Sequence, residues 1–230
     1  MVKKIVGTGV LLVLALALQA GVKMYTLKSP DGKVKLEVTA GQGIAYSLFY
    51  DGRLLLKPSR IALHTDLPEA DHWENIRITG TKQRHVSETV QAPFYRVKEF
   101  GIDCNELELR LNNGFSLLMR AYNDGMAYRF VAGRKGEMTV VEERAEFNFA
   151  DDFEAYIPYS TNPKDPWNMA FQNFYTKAPL TQYNTELPAF LPLTVDVGAV
   201  KLTLLESDLE AYPGMFVCGD GKTPALKGVF

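Results

Sequence analysis

The sequence predicts an all-β fold in which antiparallel strands stack as a sandwich with few helical turns. Three observations predict it. Apolar residues recur with a period of two in one short segment after another, as in strands with one buried face. Asp-Gly, Asn-Gly and Asn-Asp-Gly sequences separate those segments at hairpin spacing. Helical periodicity is scarce, and many short strands with regular turns build sandwiches rather than layered α/β folds.

The first residues are set aside as targeting. Lys3 and Lys4 precede an uncharged apolar run from Ile5 to Leu18, with small residues at Ala15, Ala17 and Ala20. This layout predicts a secretory signal peptide over residues 1–23, with the mature chain starting between Leu18 and Met24. The run is short beside the ~20 residues that span a bilayer core, and no cysteine follows it as in a lipoprotein. The expectation is a secreted chain with no membrane association after cleavage.

From Met24 onward the elements follow in order. Val34, Leu36 and Val38 alternate with Lys35, Glu37 and Thr39, after a turn at Asp31-Gly32. Tyr46, Leu48 and Tyr50 form the next run, closed by Asp51-Gly52; Leu54 to Leu56, Ile61 and Leu63 follow. Leu107, Leu109 and Leu111 alternate with acidic and basic residues. Asn113-Gly114 returns the chain through Phe115 to Ala121, and Asn123-Asp124-Gly125 returns it again through Met126 to Val131. Asn, Asp and Gly tolerate positive φ, so type I′ turns are expected at these two hairpins. Leu193, Val195 and Val197 turn at Gly198 and return through Val200, Leu202 and Leu204. Ser207-Asp208-Leu209-Glu210 is the one candidate helical turn. Pro163 to Pro192 has no clean period, and a span that long inside a compact domain is functional or holds a short element. No linker divides the chain.

Composition narrows the function. The chain has 230 residues, 47% hydrophobic and 23% charged, with a net charge of -2. That charge does not neutralise a phosphate backbone, so nucleic acid is not an expected partner. Cys104 and Cys218 either pair or stay as buried thiols, and their spacing is not that of a zinc site. The acids Glu142, Glu143, Asp151, Asp152, Glu206, Asp208 and Glu210 read as solvated edges and turns, because spacing pairs none of them across a cleft. His64, His72 and His85 read as surface or edge residues. Trp167, Phe171, Phe174, Tyr175 and Tyr183 cluster in the aperiodic segment. They serve either as packing surface for another domain or as sugar platforms, since a pyranose face stacks on an aromatic ring.

Two stretches carry a resemblance to a known family. One is residues 120–130, Arg-Ala-Tyr-Asn-Asp-Gly-Met-Ala-Tyr-Arg-Phe; the other is residues 204–216, ending Ala-Tyr-Pro-Gly-Met-Phe. With the opening at Ser29 to Val34 and the Asp51-Gly52 hairpin, the chain from about Thr26 to Phe230 resembles the N-terminal domain of glycoside hydrolase family 97. The resemblance implies a galactose mutarotase-like β-super-sandwich over residues 24–230, in a bacterial periplasmic α-glucosidase or α-galactosidase. It implies that the catalytic carboxylates belong to a (β/α)8 barrel of the same polypeptide that this chain does not include, so no catalytic residue is expected here. It also implies that the domain lends the intact enzyme part of the pocket for an α-linked oligosaccharide and a ligand for calcium. By the resemblance the substrate side is Trp167, Phe174, Tyr175 and Glu186. The metal ligand is Gln172 or Gln182, where relatives carry an acid; an amide oxygen still ligates calcium but brings no charge. Competing readings are a free-standing carbohydrate-binding sandwich and a mutarotase-like sugar epimerase.

Overall fold

The computed structural model describes residues 22–71, 73–167, 172–209 and 212–230. The expected signal falls almost wholly outside these, as do His72, Phe171 and Glu210. Fifteen strands are present among the described residues. They are β1 (Lys23–Lys28), β2 (Val34–Gly41), β3 (Gly43–Tyr50), β4 (Arg53–Thr65), β5 (Ile78–Gln91), β6 (Glu99–Leu111), β7 (Phe115–Tyr122) and β8 (Gly125–Ala132). Then come β9 (Val140–Asn148), β10 (Glu154–Ile157), β11 (Thr176–Pro179), β12 (Leu193–Asp196), β13 (Lys201–Leu204), β14 (Phe216–Gly219) and β15 (Ala225–Val229). Among the described residues helix is confined to two 3-10 turns, Trp73–Asn75 and Leu180–Gln182. The chain is an all-β antiparallel sandwich, as the sequence predicts.

Three sheets share one core. The largest runs β1-β2-β3-β4-β9-β15-β14, and two four-stranded sheets run β5-β6-β7-β8 and β11-β10-β12-β13. Alternation sets which face is buried. In β2, Val34, Leu36, Val38 and Ala40 point inward; in β7, Phe115, Leu117, Met119 and Ala121 do. Register then stacks like on like, with Leu107 opposite Met119 and Leu109 opposite Leu117. Each such side chain, fully buried, stabilises the fold by about 1.5–3 kcal/mol over its exposed state.

Aromatic side chains with satisfied polar tips join the layers. The Tyr46 hydroxyl donates to the Glu146 carbonyl at 3.2 Å, and its ring lies 6.0 Å from that of Tyr128. The Trp73 indole N–H donates to the Leu63 carbonyl at 2.9 Å while its ring meets Phe130 edge-on at 5.2 Å. The third sheet is stitched to the first through backbone bridges, Tyr159 with Ala189 and Ala189 with Val217. Arg53 also donates to the Val197 carbonyl at 2.6 Å.

The structure corrects some expectations and decides between others. Type I′ geometry is found at Asp51-Gly52, where φ is 48° and 78°. At Asn113-Gly114 only the glycine has positive φ (85°), and neither Asn123 nor Asp124 does. Side-chain bonds hold those two turns instead: Asn113 donates to the Ala70 carbonyl and accepts from Phe115 N–H, and Asn123 accepts from Asp31 N–H. Ser207 to Leu209 forms no helical turn; Asp208 sits at φ 63°, which a right-handed helix cannot continue. Cys104 and Cys218 are free thiols, on β6 and β14 in different sheets. The aperiodic segment holds β11 and a 3-10 turn.

Candidate functional site

The segment between β10 and β12 stands on a pedestal of two buried tyrosines. Tyr159 and Tyr183 are 7% and 3% exposed, and their rings meet edge-to-face at 5.0 Å. The Tyr183 hydroxyl lies 2.7 Å from the Val217 carbonyl and 3.0 Å from that of Leu187, and the Asn184 N–H donates to the Tyr159 hydroxyl at 2.8 Å. Burial pushes both phenols above their usual range, so they remain neutral. Tyr183, grouped from sequence with the candidate platform rings, is therefore a core residue, turned inward because its hydroxyl finds two carbonyls there.

Of the other described aromatics of the segment, Phe190 is buried, whereas Trp167, Phe174 and Tyr175 face outward. Phe174 is 94% exposed, Trp167 49% and Tyr175 45%. Each is nevertheless held. Asn173 donates to the Tyr159 carbonyl at 2.8 Å and accepts from Phe174 N–H, which fixes the backbone at the Phe174 ring. The Tyr175 hydroxyl donates to the Pro192 carbonyl at 3.2 Å, and Trp167 stands perpendicular to the Phe216 ring at 5.0 Å. Exposed rings on a fixed backbone make an apolar surface that water does not favour and a partner or sugar face would.

Glu186 is exposed on the turn above Tyr183, its N–H taken by Asn184 Oδ1. Gln172 and Gln182 are both exposed. The neighbours do not complete a calcium site around either. Both ends of the Asn173 amide are used internally, and Thr181 N–H and hydroxyl are both bound by Asp152. Calcium takes six to eight oxygens, and among the described residues no group of three or more His, Cys, Asp or Glu side chains converges as a metal cluster. These residues do not by themselves fit the ion.

Two acidic arrangements escaped the sequence reading. Glu143 is half-buried rather than solvated; it accepts the Tyr212 hydroxyl at 2.7 Å. Burial raises its pKa, against the Tyr212 bond and helped by the charge of Glu206. Glu206 is raised too, by burial, although it accepts Met215 N–H at 2.8 Å. Glu143 thus ties Tyr212 to β9, Glu206 ties its own segment to Met215, and Arg129 of β8 lies 3.7 Å from Asp208. Glu106, on β6, is 4% exposed between Arg84 at 2.6 Å and Arg120 at 2.8 Å. Burial alone would raise its pKa; the two guanidiniums outweigh that and hold it below the usual carboxylate value. No periodicity signals a carboxylate on the outward face of a strand, but Glu106 directly opposite Arg120 in a hairpin register was readable. Histidine gives no acid–base constellation among the described residues: His64 meets Asp71 and His85 meets Asp103, on different sheets. An open groove of about 490 Å³ between β1 and β5, lined by Thr26, Lys28, Gln83, Arg84 and His85, includes none of the substrate-side or metal-side residues expected from sequence.

Comparison with known proteins agrees with this frame. The model of the glycosyl-hydrolase 97 N-terminal family matches residues 27–230. A retaining alpha-galactosidase of Bacteroides thetaiotaomicron is 40% identical over 209 residues, 88% of this chain and 31% of that protein. A probable retaining alpha-galactosidase of Streptomyces bingchenggensis is 26% identical over 158 residues, 67% of this chain and 24% of that protein. The chain thus spans less than a third of the length of these relatives. Among solved structures, a glycoside hydrolase family 97 enzyme from Pseudoalteromonas sp. strain K8, in complex with acarbose, has a TM-score of 0.73 at 18% identity, covering 90% of this chain and 32% of that one. A beta-arabinopyranosidase has a TM-score of 0.76 at 20% identity, covering 90% and 35%. Identities this low speak to the fold alone, and the fold is shared. With a family model that runs from the end of β1 to the last residue, the chain belongs to the glycosyl-hydrolase 97 N-terminal family.

Proposed function

We propose that this chain is the accessory domain of a secreted α-glycosidase, lending a sugar-facing and barrel-facing surface to catalytic carboxylates that lie elsewhere on the polypeptide. The carrying observation is that Trp167, Phe174 and Tyr175 are exposed yet held, Trp167 against Phe216, Phe174 through Asn173 on the Tyr159 carbonyl and Tyr175 on the Pro192 carbonyl. The relatives at 40% and 26% identity bear the names of retaining alpha-galactosidases, which makes an α-galactoside the first substrate to try. Glu186 and the patch would lie at the edge of the pocket in the whole enzyme, with Gln172 or Gln182 offering calcium at most one neutral oxygen. Secretion to the periplasm, with cleavage before Met24, rests on the basic and apolar N-terminal run.

The test is an assay of the purified chain with nitrophenyl α-galactoside and α-glucoside, alone and after addition of a separately expressed barrel from the Bacteroides thetaiotaomicron relative. Expected are no turnover alone, no millimolar-strength calcium binding by calorimetry, and a complex with the barrel that W167A and F174A weaken. Turnover by the chain alone that disappears on mutating Glu143 or Glu206 would overturn the reading. Tight binding of an α-galactoside without any barrel would favour the free-standing carbohydrate-binding sandwich, because Phe174 is already open to a ligand.

A further inference from the structure

The hairpin of β5 and β6 outgrows its sheet. Pairing of β6 with β7 begins at Cys104, opposite Tyr122, whereas β5 and β6 stay paired out to Gln91 and Glu99. Residues 87–103 therefore form a two-stranded arm. Its apolar residues are uncovered: Val90 is 41% exposed and its cross-strand partner Phe100 44%. Phe94 and Tyr95 at the tip are 97% and 69% exposed.

The outer edge of β5 is open as well. Among the described residues β5 pairs only with β6. From Thr81 to Gln91 it runs in unbroken register, without proline or bulge. An edge of this length offers a row of unpaired N–H and C=O groups, which proteins ordinarily shorten, bend or cover. We propose that this edge is covered by the β5 of a second copy of the chain, paired antiparallel about a two-fold axis at His85.

Charge complementarity selects that partner. With His85 opposite His85 of the second copy, Lys82 of each chain faces Glu88 of the other, so the attraction occurs twice. Thr81 then faces Thr89, and Val90 faces Gly80, where no side chain stands in its way. Lys82 and Glu88 are exposed, and neither forms a salt bridge among the described residues; Glu88 lends Arg84 only a minor electrostatic contribution. Shifting the axis to Arg84 would set two Arg84 side chains face to face. Such an isologous contact closes on itself and uses one patch twice. It also places the apolar root of the arm against a second sheet rather than in water. This inference is independent of the proposed function.

Sedimentation equilibrium of the chain over a concentration series tests it. A monomer–dimer equilibrium that weakens with added salt is expected. K82E alone and E88K alone should each weaken dimerisation about tenfold, since cross-strand attraction becomes repulsion at two positions. The double variant K82E/E88K should restore it, while F94S should leave it unchanged. Both positions are exposed, so matching melting curves would show that the variants fold. A monomer at every concentration, a dimer indifferent to both single reversals, no rescue by the double variant, or a dimer lost only on F94S would overturn the proposal. So would a monomeric chain that co-sediments with phosphatidylglycerol vesicles through Phe94, which would assign the arm to a lipid surface.

Discussion

Glu106 and Glu143 show how differently two glutamates of one sandwich behave. Glu106 is ionised because Arg84 and Arg120 close on it from neighbouring strands. Its folded pKa is lowered, so its contribution to stability is present above the ordinary glutamate value, about 4.3, and is lost as the pH falls through the lowered one. Glu106→Gln should cost about 1–3 kcal/mol in urea unfolding at pH 7, because two charge-assisted bonds go and both arginines remain partly solvated. Glu143 has the opposite sign. Its folded pKa is raised, so stability declines as the pH climbs from the ordinary value through the raised one. Glu143→Gln keeps an acceptor for the Tyr212 hydroxyl and removes the buried charge. The variant should melt higher than the native chain at pH 7 and match it below about pH 4. The pairing of Glu106 with Arg120 was readable from hairpin register, but the burial of neither glutamate was, because strand alternation reports which face a residue occupies and not what covers that face.

Among the elements, the long alternating strands were legible and the short or polar ones were not. β2, β3, β7 and the second half of β6 bury alternate residues against a shared core, so period two is written into them. β5 buries only Val86 and carries no such pattern; its partner β6 holds it in place. β14 and β15 are too short for a period, and each contains a glycine required by a neighbour. At Gly219 a methyl group would lie 2.7 Å from Tyr183 Cγ, closer than any relaxed contact. Gly219→Ala should therefore push Tyr183 off its two carbonyl partners and cost about 1–3 kcal/mol, the usual penalty of overpacking. Limited proteolysis should then cut beside Phe174 faster than in the native chain, since Asn173 is bound to the carbonyl of Tyr159, whose ring packs on Tyr183. The aperiodicity of that segment was legible and correctly marked it as unusual. That Tyr183 turns in depends on the carbonyls of Leu187 and Val217, the second of which is remote in sequence.

For the whole molecule, the fold class followed from the strands, and the family from two motifs whose residues now have places. Arg120 binds Glu106, and in the second motif the Tyr212 hydroxyl donates to Glu143 of β9 while Glu206 accepts from Met215 N–H. The metal expectation had no comparable anchor, because neither alternation nor strand register bears on Gln172 and Gln182, which lie outside the strands. The chain's two tryptophans give these arguments an optical form. Trp73 is 4% exposed in the core and Trp167 is 49% exposed on the candidate surface. In the native chain, acrylamide should quench the red-shifted emission of Trp167 and spare the bluer emission of Trp73. Global unfolding should shift the Trp73 component, and a partner seated on the patch should shift the Trp167 component alone. A single fluorimeter cuvette thus separates loss of the fold from occupancy of its surface, and W167F leaves a chain whose remaining light reports only the core.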